Sequence, residues 1–387
     1  MNSEQQTFLN SSLRPPSSSI DYDVLIVGGG PAGTSAAIHL AGAGARVLLV
    51  EQKKFPRAKL CGEFISPECL EHFGRLGVRD AMTTAGGARL VETVFYSRSG
   101  KSVSVPSAWF GGGSHGALGL SRAEMDERLL ARARLLGVDV LEETQAVGPV
   151  IDEGCVRGVD LRTGDQRARA VNALVTIDAT GRSRSLARRV AATNGAGGAR
   201  RGKRNRASLV AFKAHLEDAR GEPGHCEIYF YRGGYGGLSA VEGGLSNLCF
   251  IASARDVRER GSDAGRVMRE VVASNARAAA TLSEARVQSE WLSVALESFG
   301  RSELVPADGL LTVGDAASFI DPFTGSGMLM ALESGELAAA SIARRLPQLA
   351  AGAPFQTLAD DYRARYHERF NRRLRVCSAL RRAAFMP

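Results

Sequence analysis

No apolar run in the sequence reaches the ~20 residues that a helix needs to cross a bilayer, so no transmembrane helix is expected. The six cysteines (61, 69, 155, 226, 249 and 377) contain no Cys-x-x-Cys pair and no metal-ligand spacing. Neither a disulfide framework nor a zinc site is therefore expected, and the chain reads as reduced and cytoplasmic. Tryptophan occurs only at 109 and 291, too far apart to form one motif. Acid is scarce in two stretches. Arg182 to Arg206 holds nine Lys or Arg and no Asp or Glu, and Arg363 to Arg382 holds eight Arg against Glu368. Arg182 to Arg206 holds no aromatic residue and Arg363 to Arg382 only Tyr366 and Phe370, too few for the stacking surface of a single-strand nucleic-acid binder, which argues against a nucleic-acid partner. Two readings stay open for them. One is a solvated basic surface; the other is a landing site for an anion such as NADPH phosphate, an acidic carrier protein or a peripheral lipid surface. Met1 to Ser19 lacks the basic-then-apolar layout of a secretory signal and is expected to be a disordered leader.

Glycine is abundant, with 44 copies in 387 residues, which implies tight turns and close backbone approaches. The first cluster carries chemistry. Asp23-Val-Leu-Ile-Val27 is a buried-strand run that ends in Gly28-Gly29-Gly30-Pro31-Ala32-Gly33. An Ala-rich helical stretch follows, Thr34 to Ala43, and then a second apolar run, Arg46 to Val50, ending at Glu51. Strand, glycine turn, helix, strand is the βαβ unit of a doubly wound sheet. In that unit Gly28 makes the turn, Gly30 lets backbone approach a pyrophosphate, and Gly33 lets helix and strand pack closely. The helix start offers free N–H groups to phosphate, and a carboxylate about 20 residues on, here Glu51, suits ribose hydroxyls. The unit by itself fits NAD or FAD.

A second glycine cluster lies about 280 residues further on. Leu310-Leu-Thr-Val313 is a buried-strand run followed by Gly314-Asp315-Ala316-Ala317, and Asp321-Pro322-Phe323-Thr324-Gly325-Ser326-Gly327 opens a helix. With both clusters the chain resembles the group-A flavoprotein superfamily, that of para-hydroxybenzoate hydroxylase and geranylgeranyl reductase. The resemblance spans residues 21 to about 345. It implies FAD as cofactor, with Asp315 on the ribityl chain, Gly325, Ser326, Gly327 and Met328 at the pyrimidine edge of the flavin, and Arg122 touching the cofactor. Ala32 belongs to the same glycine turn. Asp178-Ala-Thr-Gly181 resembles the superfamily's second dinucleotide motif, but Thr180-Gly181 stands where Asp-Gly is usual.

The texture closest to this chain is that of the geranylgeranyl reductase branch, carried by Phe55-Pro-Arg-Ala-Lys-Leu-Cys-Gly62 and by residues 314–338. That branch implies Cys61 near the flavin as a proton donor or substrate positioner, with Tyr235 as a second donor and Pro322 beside the ring. Its Tyr-x-Trp-x-Phe-Pro tunnel segment is reduced here to Tyr235-Gly-Gly-Leu-Ser239, which argues against the branch's long isoprenoid substrate. Flavin-dependent halogenases look similar around Gly62-Glu63, but their Trp-x-Trp-x-Ile-Pro segment is missing and no lysine lies between 60 and 100.

The first expectation is therefore a monooxygenase using FAD, with NADPH or NADH as donor, acting on a small apolar or aromatic metabolite, free or carrier-bound. The alternatives are a double-bond-saturating reductase, a halogenase, and a non-enzymatic flavoprotein acting with a protein partner. The expected fold class is α/β: a Rossmann-like three-layer FAD-binding domain (21–88, 119–185 and 300–345), an inserted β-sheet substrate domain (89–118 and 207–299), and a C-terminal helical segment (346–387). Phe95, Trp109, Phe110, Phe212, Tyr229, Tyr231 and Tyr235 are candidate substrate-lining residues. Tyr362, Tyr366, Phe370, Leu374, Cys377 and Leu380 recur at helical spacing, and this stripe is expected to pack on the protein's own body.

Overall fold

The computed structural model describes residues 20–111, 116–193, 208–296 and 299–384. The leader and the Gly- and Arg-rich residues 194–207 lie outside that range. The α/β class is as expected. Tyr22–Val27 runs parallel to Val47–Val50 on one side and to Arg169–Asp178 on the other. Asp139–Leu141 extends the sheet beyond Val47–Val50, and Leu310–Thr312 extends it beyond the second half of Arg169–Asp178. The first half of Arg169–Asp178 instead pairs antiparallel with Cys155–Thr163, which pairs with Thr144–Asp152.

A strand covered on both faces is apolar throughout, and Tyr22–Val27 shows why. Val24 and Ile26 join the core under the helices, while Leu25 and Val27 join a separate core on the opposite face. The helix Pro31–Gly42 starts with proline at its first turn, where a missing N–H costs nothing. It lies against the long helix Gly327–Ala350 at backbone distance. Ser35 Oγ donates to Leu332 O at 2.8 Å, and a Cβ on Gly335 would stand 2.3 Å from Ala32 O. Small residues thus bring the starts of both helices to one place.

The second sheet has eight strands. Leu209–Glu217, Ser246–Ser253, Gly234–Ala240, His225–Tyr231, Glu92–Tyr96 and the edge strand Ser102–Pro106 follow one another, with Arg286–Val287 and Leu292–Leu296 both pairing on Leu209–Glu217. Glu92–Tyr96 and Ser102–Pro106 form a hairpin with Thr93 opposite Val105. Gly234–Ala240 is a strand despite Gly234, Gly236 and Gly237, residues that strands disfavour. They are strand glycines: a Cβ on Gly234 would stand 1.9 Å from Ile251 O.

The C-terminal helix Gln356–Ala384 buries Tyr362, Tyr366 and Phe370 in the main core. Tyr362 OH donates to Thr312 O at 2.6 Å, fixing this helix to a strand that leads into the site. Tyr362, Tyr366, Phe370, Leu374 and Cys377 of the apolar stripe pack on the protein itself, as expected, while the Leu380 side chain lies outside the described residues. Among the described residues no helix is long and apolar enough to cross a membrane.

Candidate functional site

A cavity of about 850 Å³ lies between the glycine turn and one face of the second sheet. Strand alternation decides what that face presents. Phe95, Ile228, Gly237, Cys249 and Lys213 form one cross-strand row, and Phe230, Tyr235, Ile251 and Ala211 form the next. Phe95, Trp109, Phe110 and Tyr235 line the cavity, as expected of them. Phe212, Tyr229 and Tyr231 do not. They alternate to the opposite face and pack in a core under the helices of residues 254–281. Composition named the strands, but only the register tells which side chains point inward.

On the first sheet's side, Gly28, Gly30, Ala32, Glu51, Arg122 and Asp315 reach the cavity wall. Gly33 does not, because it is buried by packing: a Cβ there would stand 1.9 Å from Gly28 O. At Gly30 a Cβ would meet only the guanidiniums of Arg122 and Arg57, in van der Waals contact at 3.9 and 4.0 Å. Glu51 accepts from Gly29 N and Lys53 N, each at 3.0 Å, and from Arg57 at 3.3 Å.

Arg57 was missed in the sequence, as was Asp126, the anion that holds both guanidiniums. Fully buried, Asp126 pairs with Arg57 at 3.1 Å and takes Arg122 in a two-bond fork at 2.9 and 2.7 Å. Burial would lower the Arg122 guanidinium, but Asp126, and after it the Cys61 sulfur, outweigh burial and raise it. Lys59 shares this electropositive wall. Burial, then Arg57 and Arg122, hold its ammonium below the usual range. Burial raises the Asp315 carboxyl, against the pull of Arg182, Arg122 and Lys59.

Pro322, Gly325, Ser326, Gly327 and Met328 complete this side at the start of the long helix. The first backbone N–H groups of a helix have no intrahelical partner. Asp321 sets the preceding turn by accepting from Phe323 N at 3.0 Å and from Tyr235 OH at 2.7 Å. Burial first, and Asp321 second, push the Tyr235 phenol well above its ordinary value, so it stays protonated.

Cys61 lies at the junction of the two halves. Its sulfur accepts from Glu63 N at 3.4 Å, and its carbonyl accepts from Asn247 of the second sheet at 3.1 Å. Glu63, fully buried, is held by three donors: Lys213 Nζ at 2.5 Å, His215 Nε2 at 2.7 Å and Arg122 N at 2.9 Å. Burial would raise its carboxyl; the His215 hydrogen bond and the Lys213 charge together hold it below the usual carboxylate range. This triad was not singled out in the sequence. The signal was there, in a lysine inside the apolar strand Leu209–Glu217, which must have a partner if it is buried.

Asp178 has a scaffolding role. It accepts from Thr180 N and Oγ1 and from Leu186 N and Ala187 N at 2.6–3.1 Å, which organises the start of the helix Ser185–Thr193. Thr180 thus takes part in a cap at the place where the usual motif has aspartate.

With this geometry in place, comparisons with known proteins gain meaning. A family model described as FAD binding domain matches residues 21–375. The chain is 29% identical over 329 residues to the digeranylgeranylglycerophospholipid reductase of Methanoculleus marisnigri, covering 82% of this chain and 76% of the relative. It is also 29% identical over 339 residues to the menaquinone reductase of Mycolicibacterium smegmatis, covering 82% and 75%. In fold it is similar to a geranylgeranyl bacteriochlorophyll reductase-like protein of Thermoplasma acidophilum, with a TM-score of 0.76, 23% identity and coverage of 94% and 88%. The myxobacterial chondrochloren halogenase superposes with a TM-score of 0.77 at 22% identity, covering 92% and 82%. At such identities the two structures speak to fold alone.

Proposed function

The chain belongs to the FAD binding domain family, and on that premise we propose that it is a reductase that saturates carbon–carbon double bonds in an apolar substrate. That it is an FAD-dependent oxidoreductase follows from the family and its curated relatives. The carrying observation for the finer reading is the Cys61 thiol on the wall of a cavity whose second-sheet face presents Phe95, Ile228, Tyr235 and Ile251. Saturating a double bond needs a hydride on one carbon and a proton on the other. A hydroxylase asks only for a dry pocket.

The residues present fit FAD. Gly30 on the cavity wall beside two guanidiniums suits a pyrophosphate, and Asp315 accepts no hydrogen bond from a described residue, leaving it available to a ribityl hydroxyl. We assign Gly28, Gly30, Arg57 and Arg122 to the pyrophosphate end, with Gly33 packing the turn behind them, Glu51 to ribose, and residues 325–328 to the flavin's pyrimidine edge, where N–H groups favour negative charge. With FAD bound, the site would have a hydride carrier, loaded from NADPH or NADH, to serve the substrate. Cys61 gives the proton, and its sulfur regains one from solvent. Tyr235, its proton already committed to Asp321, holds the turn at Pro322 instead of reacting. Residues 21–88, 119–185 and 300–345 would then serve the cofactor, and 89–118 with 207–299 the substrate.

Cys61→Ala is expected to retain FAD and its reduction by the nicotinamide while losing turnover about 10²- to 10⁴-fold, the usual worth of a positioned acid. Tyr235→Phe should fall less, since it loses one hydrogen bond. Full turnover in Cys61→Ala would remove the thiol from the chemistry and favour the second reading, hydroxylation. The aromatic wall of Phe95, Phe230 and Phe323, with ring centroids 5.7–6.4 Å apart, supports that second reading by excluding water. Halogenation has less support. Lys213 stands on the cavity face, but it is 2% exposed and held by Glu63.

A further inference from the structure

The cavity is not closed at the edge of the second sheet. Thr93 and Phe95 line it, and directly opposite them on the edge strand Ser102–Pro106 stand Val105 and Val103. Paired residues share a face, so the apolar floor continues outward without a break. It ends in solvent: Val103 is 67% exposed, and beyond the strand the short turn Ser107–Phe110 carries Trp109, 76% exposed and still part of the cavity rim. A single exposed apolar residue is ordinary. An exposed tryptophan and a valine strip joined to a substrate cavity are not, because water then wets the very surface the substrate must cross.

A helix with a basic end lies beside this rim. The Trp109 turn leans on Glu68, since a Cβ on Gly111 would stand 2.7 Å from Glu68 Cγ. Glu68 in turn receives Arg373 of the C-terminal helix at 3.3 Å. The basic end of that helix therefore flanks the mouth. From Arg369 onward the sequence has five further arginines and no acid. Arg372 and Arg375 form no ion pair with a described residue, and Val376 next to them is half exposed.

We propose that this mouth docks on an anionic lipid bilayer, so that an apolar substrate moves from membrane to cavity without entering water. Tryptophan prefers the headgroup level, with an apolar body and a polar N–H. Arginines just outside that level meet anionic headgroups. The inference rests on the apolar-substrate reading above, and the partner it commits to is a phospholipid surface.

The test uses the oxidised holoenzyme and vesicles, with no turnover. Trp291 packs edge-on against Phe250 at 5.7 Å, so Trp291→Phe leaves Trp109 as the only emitter. Its emission should move to the blue on phosphatidylglycerol vesicles, be quenched by brominated lipid, and change little on phosphatidylcholine. Trp109→Ser with Val103→Ser should weaken vesicle partition about tenfold, and Arg372→Gln and Arg375→Gln about fivefold each. Leu135→Ser should change nothing. Leu135 is also exposed, but it lies at the far end of the helix Arg122–Leu135, about 20 Å from the cavity at 1.5 Å per residue. FAD content, read from the visible spectrum, certifies that each variant is folded. Water-like, unquenched Trp109 emission on every vesicle overturns the proposal. So does an equal loss with Leu135→Ser, or retention on polyglutamate without vesicle binding, which would make the surface a protein site. An enzyme that binds vesicles but reduces no double bond leaves the docking surface standing and removes the reductase reading instead.

Discussion

Glu63→Ala is expected to destabilise the protein by about 3–5 kcal/mol, the usual cost of removing one partner of a buried ion pair. The substitution leaves Lys213, 2% exposed, with its charge uncompensated inside the second sheet. It also frees the loop that carries Cys61, because Glu63 ties that loop to Lys213, His215 and the backbone of Arg122. Thermal unfolding should show the loss, and Glu63→Gln combined with Lys213→Met should recover much of it by removing both charges. The pH dependence has a definite sign. The Glu63 carboxyl is depressed in the folded state, so its contribution is complete above its ordinary value of 4.5 and fades as pH falls through the lower, folded value. Glu63→Gln should therefore flatten the acid limb of the stability curve. An unchanged acid limb in that variant would show that the triad carries no such linkage.

Asp126→Asn should show a coupling between folding and cofactor. One fully buried carboxylate serves both Arg57 and Arg122. Without its charge the two guanidiniums face each other beside Gly30, and the apoprotein should lose about 3–5 kcal/mol. The pyrophosphate of FAD is the natural substitute anion. A ligand that binds only the folded state stabilises it by mass action, and here it also relieves the repulsion. FAD should therefore raise the unfolding temperature of Asp126→Asn by more than it raises that of the wild type. Equal increments in both proteins would place the pyrophosphate away from these arginines.

How much of this was legible follows from where each signal sits along the chain. The βαβ unit is local: an apolar run, a glycine turn, an alanine-rich helix and Glu51 lie within thirty residues, and every member acts on its neighbours. Gly314-Asp315 and residues 321–328 were legible for the same reason, each being a strand–turn–helix with its own chemistry. What failed to show depends on pairing across distance. Asp126 looks like one more acid on a charged helix until Arg57 is brought to it across 69 positions. Glu63 meets Lys213 from 150 positions away. The inward and outward faces of Glu92–Tyr96 and His225–Tyr231 rest on register, which a short strand does not reveal; Tyr229 was misread as lining on that account, while Phe95 was not. Gly234–Ala240 was missed because its glycines are there for the approach of Ile251, a residue on another strand.

The account stands on reduction of a double bond with the proton given from within the cavity, and a single-turnover measurement reaches that directly. The holoenzyme is reduced without excess donor, freed of oxygen, and mixed with an unsaturated isoprenoid while the flavin's visible absorbance is followed and the product is weighed. The flavin should become oxidised in the absence of oxygen, in step with a product heavier by two hydrogens, and Cys61→Ala should slow this step without slowing reduction by the nicotinamide. A flavin that stays reduced until oxygen is admitted, followed by a product heavier by one oxygen, would contradict it.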